Sequence, residues 1–123
     1  MQRITANKIN RGDFDLVLEL HYNAAHPTAN GAEALYYFRN KKGRVMAWWF
    51  SDKMAQKMGY RSRGAKALVN KNDRGFWAVL FPNPTTLILE PFFGTNKEDV
   101  QRFDASVYVS VILNLIRKYQ SLK

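Results

Sequence analysis

Apolar and polar positions alternate along this chain with two periods, that of a strand and that of a helix. Phe14 to His21, with Leu16, Val17 and Leu18 as its apolar run, predicts a strand buried in the core of a sheet. Residues two apart in a strand share a face, so Glu19, His21 and Asn23 should point the same way where that run ends. Glu33 to Phe38, with Leu35, Tyr36, Tyr37 and Phe38, predicts a second strand. Lys42 to Met58 reads as a helix with a broad apolar face of Val45, Trp48, Trp49, Met54, Ala55 and Met58, ended by Gly59. Thr86 to Glu90 is another apolar strand that ends on a carboxylate. Asp104 caps a last helix to about Gln120, whose Tyr108, Val111, Ile112, Leu115 and Tyr119 are spaced to pack on the sheet.

Shorter segments fill in the order. Residues 1–10 read as the last turns of a helix broken at Arg11-Gly12-Asp13, with Gly12 as its C-cap. Residues 24–31 form a turn-rich loop, and Arg61 to Val69 reads as a short basic strand. Asn70 to Gly75 is a polar turn. Phe76 to Phe81 is either a short strand or a helical turn, stopped by Pro82-Asn83-Pro84. After a loop at Phe92 to Asn96, Lys97 to Phe103 starts a helix with Glu98 and Asp99 in its first turn, as the helix dipole favours. Strands alternating with helices predict an α/β fold with a twisted, mostly parallel sheet flanked by helices. With 123 residues and no repeat or linker, one domain over residues 1–123 is expected.

Composition narrows the chemistry. The hydrophobic content of 46% is enough for a core, and no run of about 18 apolar residues predicts a membrane span. Met1 to Lys8 carries no apolar signal region. Without cysteine there is neither a disulfide nor a thiolate metal site, so a metal would need His and carboxylates. The net charge of +9 favours an anionic partner: nucleic acid, acidic lipid or an anionic cell wall. Much of it lies between Arg39 and Arg74. That segment also holds Trp48 and Trp49, but its aromatics sit at core-like positions, which argues against nucleic acid.

Few residues are placed for chemistry. His21 is the leading candidate, as a ligand or as a strand histidine satisfied by a hydrogen bond. Glu90, held against apolar neighbours, would have a raised pKa suited to a general base, or would pair with an arginine. Glu19 either orients the His21 ring or pairs with a basic residue. His26, in a loop beside Pro27, reads as a surface histidine, and Glu33 as structural. No Ser/His/Asp order and no Gly-rich phosphate loop stands out.

The ordered set of motifs resembles a known family. Phe14 to Ala24, a strand ending in His-x-Asn-Ala, resembles the histidine strand of zinc-dependent N-acetylmuramoyl-L-alanine amidases, the cell-wall amidases of phage endolysins and bacterial autolysins. Arg3 to Asn7 resembles the helix end before that strand, and Gly31-Ala32-Glu33 with Tyr36-Tyr37 the family's Gly-x-Glu-x-Tyr-Tyr. Arg63-Gly64 resembles its Arg-Gly, and Leu87 to Asn96 its Leu-x-Glu-x-Gly-Phe-x-x-Asn. The resemblance implies hydrolysis of the amide between muramic acid and L-alanine in peptidoglycan. His21 would then be a zinc ligand, Glu90 the carboxylate that activates the attacking water, and Asn23 and Arg63 substrate-binding residues.

One departure shapes the expectation. The family binds zinc through two histidines and a glutamate, and nothing before residue 14 resembles the segments that carry the other two. The fold expected is thus amidase-like but without the family's first strand and helix, the C-terminal portion of a catalytic domain. A missing segment, a complementary N-terminal amidase chain or a homo-oligomer would complete the zinc site; His26 and Glu19 are the local substitutes. The alternative is a non-catalytic cell-wall-binding or amidase-regulating protein on the same scaffold. In either case the expected site of action is the cell wall, reached by release from the cytoplasm as with phage lysins or as part of a larger exported chain.

Overall fold

The computed structural model describes residues 2–122; the side chains of Arg3 and Ile4, which open the N-terminal motif, lie outside the described set. The elements run α1 (Gln2–Arg11), β1 (Leu16–Leu20), β2 (Ala32–Tyr37), α2 (Lys41–Met58), β3 (Ser62–Leu68), α3 (Phe76–Leu80), β4 (Thr85–Glu90), α4 (Lys97–Arg102) and α5 (Ala105–Ser121). The strands form one sheet in the order β1-β4-β2-β3. β1 pairs parallel with β4, and β2 parallel with β3, while β2 and β4 meet antiparallel with Glu33 opposite Glu90. The sheet is therefore mixed, with two of its three pairings parallel.

Helices cover both faces. On one, α2 and α5 bury Met46, Phe50, Met54 and Leu115 against Ala32, Ala34, Leu87 and Leu89. On the other, α3 packs Phe76 and Val79 on Leu68 and Ile88. Local chemistry sets the helix ends. The Asn40 side chain accepts from Gly43 N at 2.8 Å to start α2, and Gly59 leaves it in the left-handed region at φ 72°. The Asp104 carboxylate accepts from the amides of Ser106 and Val107 to start α5.

Two expectations need correction. β1 reads as a core strand but lies at the edge of the sheet, bonded on one side only, and none of its residues is fully buried. The apolar run reflects the sheet's two faces; which edge stays open depends on strand order, which the run does not encode. On α2, Val45 and Trp48 are exposed, while Met46, Ala47, Phe50 and Ser51 are buried. Trp48 instead lies over Gly64, where an added Cβ would come within 2.5 Å of its ring. Gly64 has φ +80° and follows an irregularity in the β2–β3 register, and the neighbouring Arg63 side chain reaches Glu33. That is the physical content of the Arg-Gly pair.

Candidate active site

The mixed topology gathers polar side chains along one rim. The C-terminal ends of β1 and β4 lie there beside the N-terminal ends of β2 and β3. Glu19 pairs in register with Ile88, and Glu33 with Glu90, so Glu19, His21, Glu90 and Glu33 share the face that α3 covers further down. Glu19, His21, Asn23, Arg74 and Glu90 line one cleft of about 190 Å³.

Two arrangements divide this rim. In the first, His21 Nε2 lies 2.6 Å from Glu19 Oε1, with both side chains over two-fifths exposed. Glu19 thus engages the imidazole, as one reading of the sequence expected. In the second, Glu33 is buried and held from three sides. Asn23 donates to its Oε1, Arg63 Nε approaches the same oxygen at 3.2 Å, and Lys66 Nζ lies 3.0 Å from Oε2. Arg63 also stacks over the Phe93 ring at 4.9 Å. Glu33 is structural in the sense that it anchors Asn23 and Arg63, and so joins the loop after β1 to β3. Sequence reasoning undervalued it. The available signal was a carboxylate amid the apolar run of β2, which must be paired when buried.

The Glu90 side chain stands between these groups with no hydrogen bond or ion pair among the described residues. Burial pushes its pKa up, and the facing Glu33 pushes it further; His21, Lys66 and Arg74 pull it partly back. Arg74, at the turn before α3, is the cleft residue that the sequence did not single out. It is exposed and carries positive charge to the rim without a carboxylate partner among the described residues.

The loops that shape the rim are pinned by the Phe93–Asn96 stretch. The Thr95 hydroxyl accepts from Ala25 N at 3.1 Å, and Asn96 donates to Pro27 O at 2.9 Å. Gly94 N donates to Asn23 O, and a Cβ at Gly94 would meet the Tyr22 ring at 2.7 Å. Beneath them, the buried Asp99 carboxylate accepts from Gly31 N at 2.9 Å and Phe93 N at 3.0 Å. Among the described residues the His26 ring bonds to Thr28 alone, and it does not line the cleft.

The rim suits proton transfer better than metal binding. Catalytic zinc takes about three protein ligands. Among the described residues no group of three His, Asp or Glu is placed to hold a metal, and His21 Nε2 already faces Glu19. The residues present therefore do not make a zinc site by themselves.

A linked stability effect follows from Glu90. In the folded chain it holds its proton to a higher pH than in the unfolded chain, so its ionisation costs stability above the folded pKa, and that cost disappears below the unfolded value. Glu90→Gln is expected to raise the melting temperature at neutral pH, with the gain shrinking as the pH falls through the carboxylate range. Thermal melts across pH 3 to 8 would show it; an equal or lower melting temperature at neutral pH would contradict the assignment.

Comparison with known proteins gives a consistent result. The family model for N-acetylmuramoyl-L-alanine amidase matches residues 2–118. The catalytic domain of an endolysin targeting Clostridium difficile is 31% identical, with a TM-score of 0.74 over 92% of this chain and 62% of its own. An amidase from Clostridioides difficile, solved in complex with the GerS lipoprotein, is 14% identical, with a TM-score of 0.76 over 99% of this chain and 61% of its own. The N-acetylmuramoyl-L-alanine amidase of Clostridium difficile 630 is 20% identical, with a TM-score of 0.81 over 100% of this chain and 67% of its own. The last two likenesses speak to fold alone. The chain spans about three-fifths of the first two structures. No curated protein matches the sequence.

Proposed function

From the membership of this chain in the N-acetylmuramoyl-L-alanine amidase family, we propose that residues 1–123 form the C-terminal portion of a peptidoglycan amidase unit and supply its proton-transfer residues. The carrying observation is the unbonded Glu90 of raised pKa, in one cleft with His21. The substrate bond is the amide joining the lactyl group of N-acetylmuramic acid to L-alanine. Glu90 takes a proton from the attacking water as the new C–O bond forms at the carbonyl carbon. The proton then passes to the amide nitrogen as the C–N bond breaks, leaving a carboxylate on the sugar and a free amine on L-alanine. Asn23, which lines the cleft, and Arg63, joined to it through Glu33, are the substrate-positioning groups, and Glu19 orients the His21 ring.

The family's zinc does not fit the residues described here, so the proposal places the remaining ligands on a further polypeptide segment. Its docking place is the open edge of β1. Phe14, Leu20 and Tyr22 along that edge are 57%, 56% and 68% exposed, and the outer flank of α5 adds exposed Val109, Leu113 and Ile116. An unpaired strand edge beside an apolar helix flank is a surface that proteins cover. A second reading, a non-catalytic wall-binding or amidase-regulating protein, is favoured by the same lack of a three-ligand group.

Reconstitution separates the two. The purified chain, alone and mixed with the part of the endolysin catalytic domain that it does not cover, is incubated with zinc and purified peptidoglycan. Release of L-alanine amino groups by the mixture and not by the chain alone is expected, and Leu113→Asp should abolish it by blocking assembly. A complex that forms without hydrolysis would leave the binding reading; no complex at all would remove the docking edge.

A further inference from the structure

The groove between α2 and α5 lies in the helical layer on the face of the sheet opposite the cleft. Phe50 meets Tyr108, and Met58 Sδ accepts from Asp104 N, so the two helices run antiparallel. Lys53 and Lys57 stand on one wall near the start of α5, while Arg117 and Lys118 stand near its end. Trp49 lies between them and Asn114 faces it from α5. The groove has a volume of about 610 Å³ and no acidic residue lines it. Among the described residues, none of the four cations has a carboxylate partner. The nearest engagements are weak: Lys53 reaches Gln56 at 3.5 Å and the Trp49 ring at 5.8 Å, and Arg117 reaches Asn114 at 3.2 Å.

Four cations therefore gather along one trough, two towards each end. Among the described residues no carboxylate pairs with any of them, although the chain holds ten Asp and Glu residues. From Val107 to Lys118 the groove extends about 16 Å along the helix axis. We propose that it binds a flexible phosphodiester chain of the bacterial wall, a polyol-phosphate or sugar-phosphate polymer, and holds the protein on the wall independently of the cleft. Phosphates would lie against the two cation pairs, with a polyol or sugar unit against Trp49. The choice of a wall polymer as the source rests on the peptidoglycan reading above; the basic groove does not. Antiparallel helices about 8–10 Å apart leave a trough too narrow for a nucleic-acid duplex. Single-stranded nucleic acid calls for successive stacking rings, and this groove offers the single ring of Trp49. The basic segment between Arg39 and Arg74 is not one patch. Lys53 and Lys57 enter the groove, whereas Arg63 and Lys66 turn to Glu33.

The test measures binding and not hydrolysis, so it can fail or succeed apart from the amidase assignment. Poly(glycerol phosphate) free of lipid is titrated into the purified chain in about 0.1 M salt. It is repeated with two variants that each lose four charges: Lys53→Gln, Lys57→Gln, Arg117→Gln and Lys118→Gln in the groove, or Lys41→Gln, Lys42→Gln, Arg44→Gln and Lys71→Gln elsewhere. Both sets replace solvent-facing ends of side chains, and circular dichroism confirms folding. The groove variant should weaken binding at least tenfold and the control variant less than threefold, with Trp49→Ala weakening it several-fold. Equal losses in both variants would reduce the effect to net charge and overturn the site. So would no binding by the parent chain, or tighter, groove-dependent binding of single-stranded DNA of matched length.

Discussion

Glu90→Gln is expected to lower amide hydrolysis by the reconstituted amidase about 10²- to 10⁴-fold, the range over which a positioned general base contributes. The substitution keeps the shape of the side chain and removes only its capacity to accept a proton. Two causes set that capacity: burial at the end of β4, then Glu33 across the antiparallel pair with β2. Both raise the pKa towards the working pH, which makes the carboxylate a stronger base than an exposed one. The loss should fall on kcat with KM little changed, because no binding contact is removed. In the parent unit, activity should be present above the raised pKa and fall as the pH drops through it. Replacing Glu33 removes the second cause and should move that acidic limb to lower pH. Steady-state kinetics with a soluble muramoyl-peptide over pH 4 to 8 would test both statements. A Glu90→Gln unit within about threefold of the parent would remove Glu90 from the reaction. Arrangements that favour function at the expense of stability are common in active sites, and the expected gain in melting temperature of the same variant would be the counterpart.

Asp99→Ala is expected to cost about 3 kcal/mol of folding stability. Asp99 is only 3% exposed. Its carboxylate serves two backbone amides, of Gly31 and Phe93, and removing it strands both away from water at roughly 1–3 kcal/mol each. For a chain of this size the melting temperature should fall by about 10 °C. Asp99→Asn keeps an acceptor oxygen and should lose less than half as much. The two amides flank the rim, one entering β2 and the other in the loop that pins Asn23 and Ala25. Hydrogen exchange should therefore quicken first at residues 22–31 and 92–96. Calorimetry of the three proteins, with exchange measured on the same samples, checks it; a loss below about 1 kcal/mol would show that other groups satisfy these amides.

Asp99 also illustrates what a sequence reading misses. It was legible as an acidic residue in the first turn of a helix, and its amide does accept that role, donating to the Asn96 cap at 3.0 Å. Its carboxylate, however, reaches back 68 positions to Gly31. His21 and Glu90, which line one cleft, were singled out in the sequence because each ends an apolar strand, and that is a local property. Arg74 was missed because a basic residue in a polar turn looks like any solvated charge until the turn is folded over the cleft.

The residues of this chain determined by themselves the order of its elements and most of their bounds to within a few positions, because turn residues, caps and hydrophobic period act locally; Phe76 to Phe81 alone stayed open between strand and helical turn, and the structure makes it α3. They also carried the motif order that the family match over residues 2–118 bears out. Only the tertiary structure decided that β1 is an edge strand, that Glu33 gathers Asn23, Arg63 and Lys66, and that Lys53 and Lys57 share a groove with Arg117 and Lys118. Strand order and helix direction are set by how all the apolar faces are buried together, and a local pattern is compatible with more than one such arrangement.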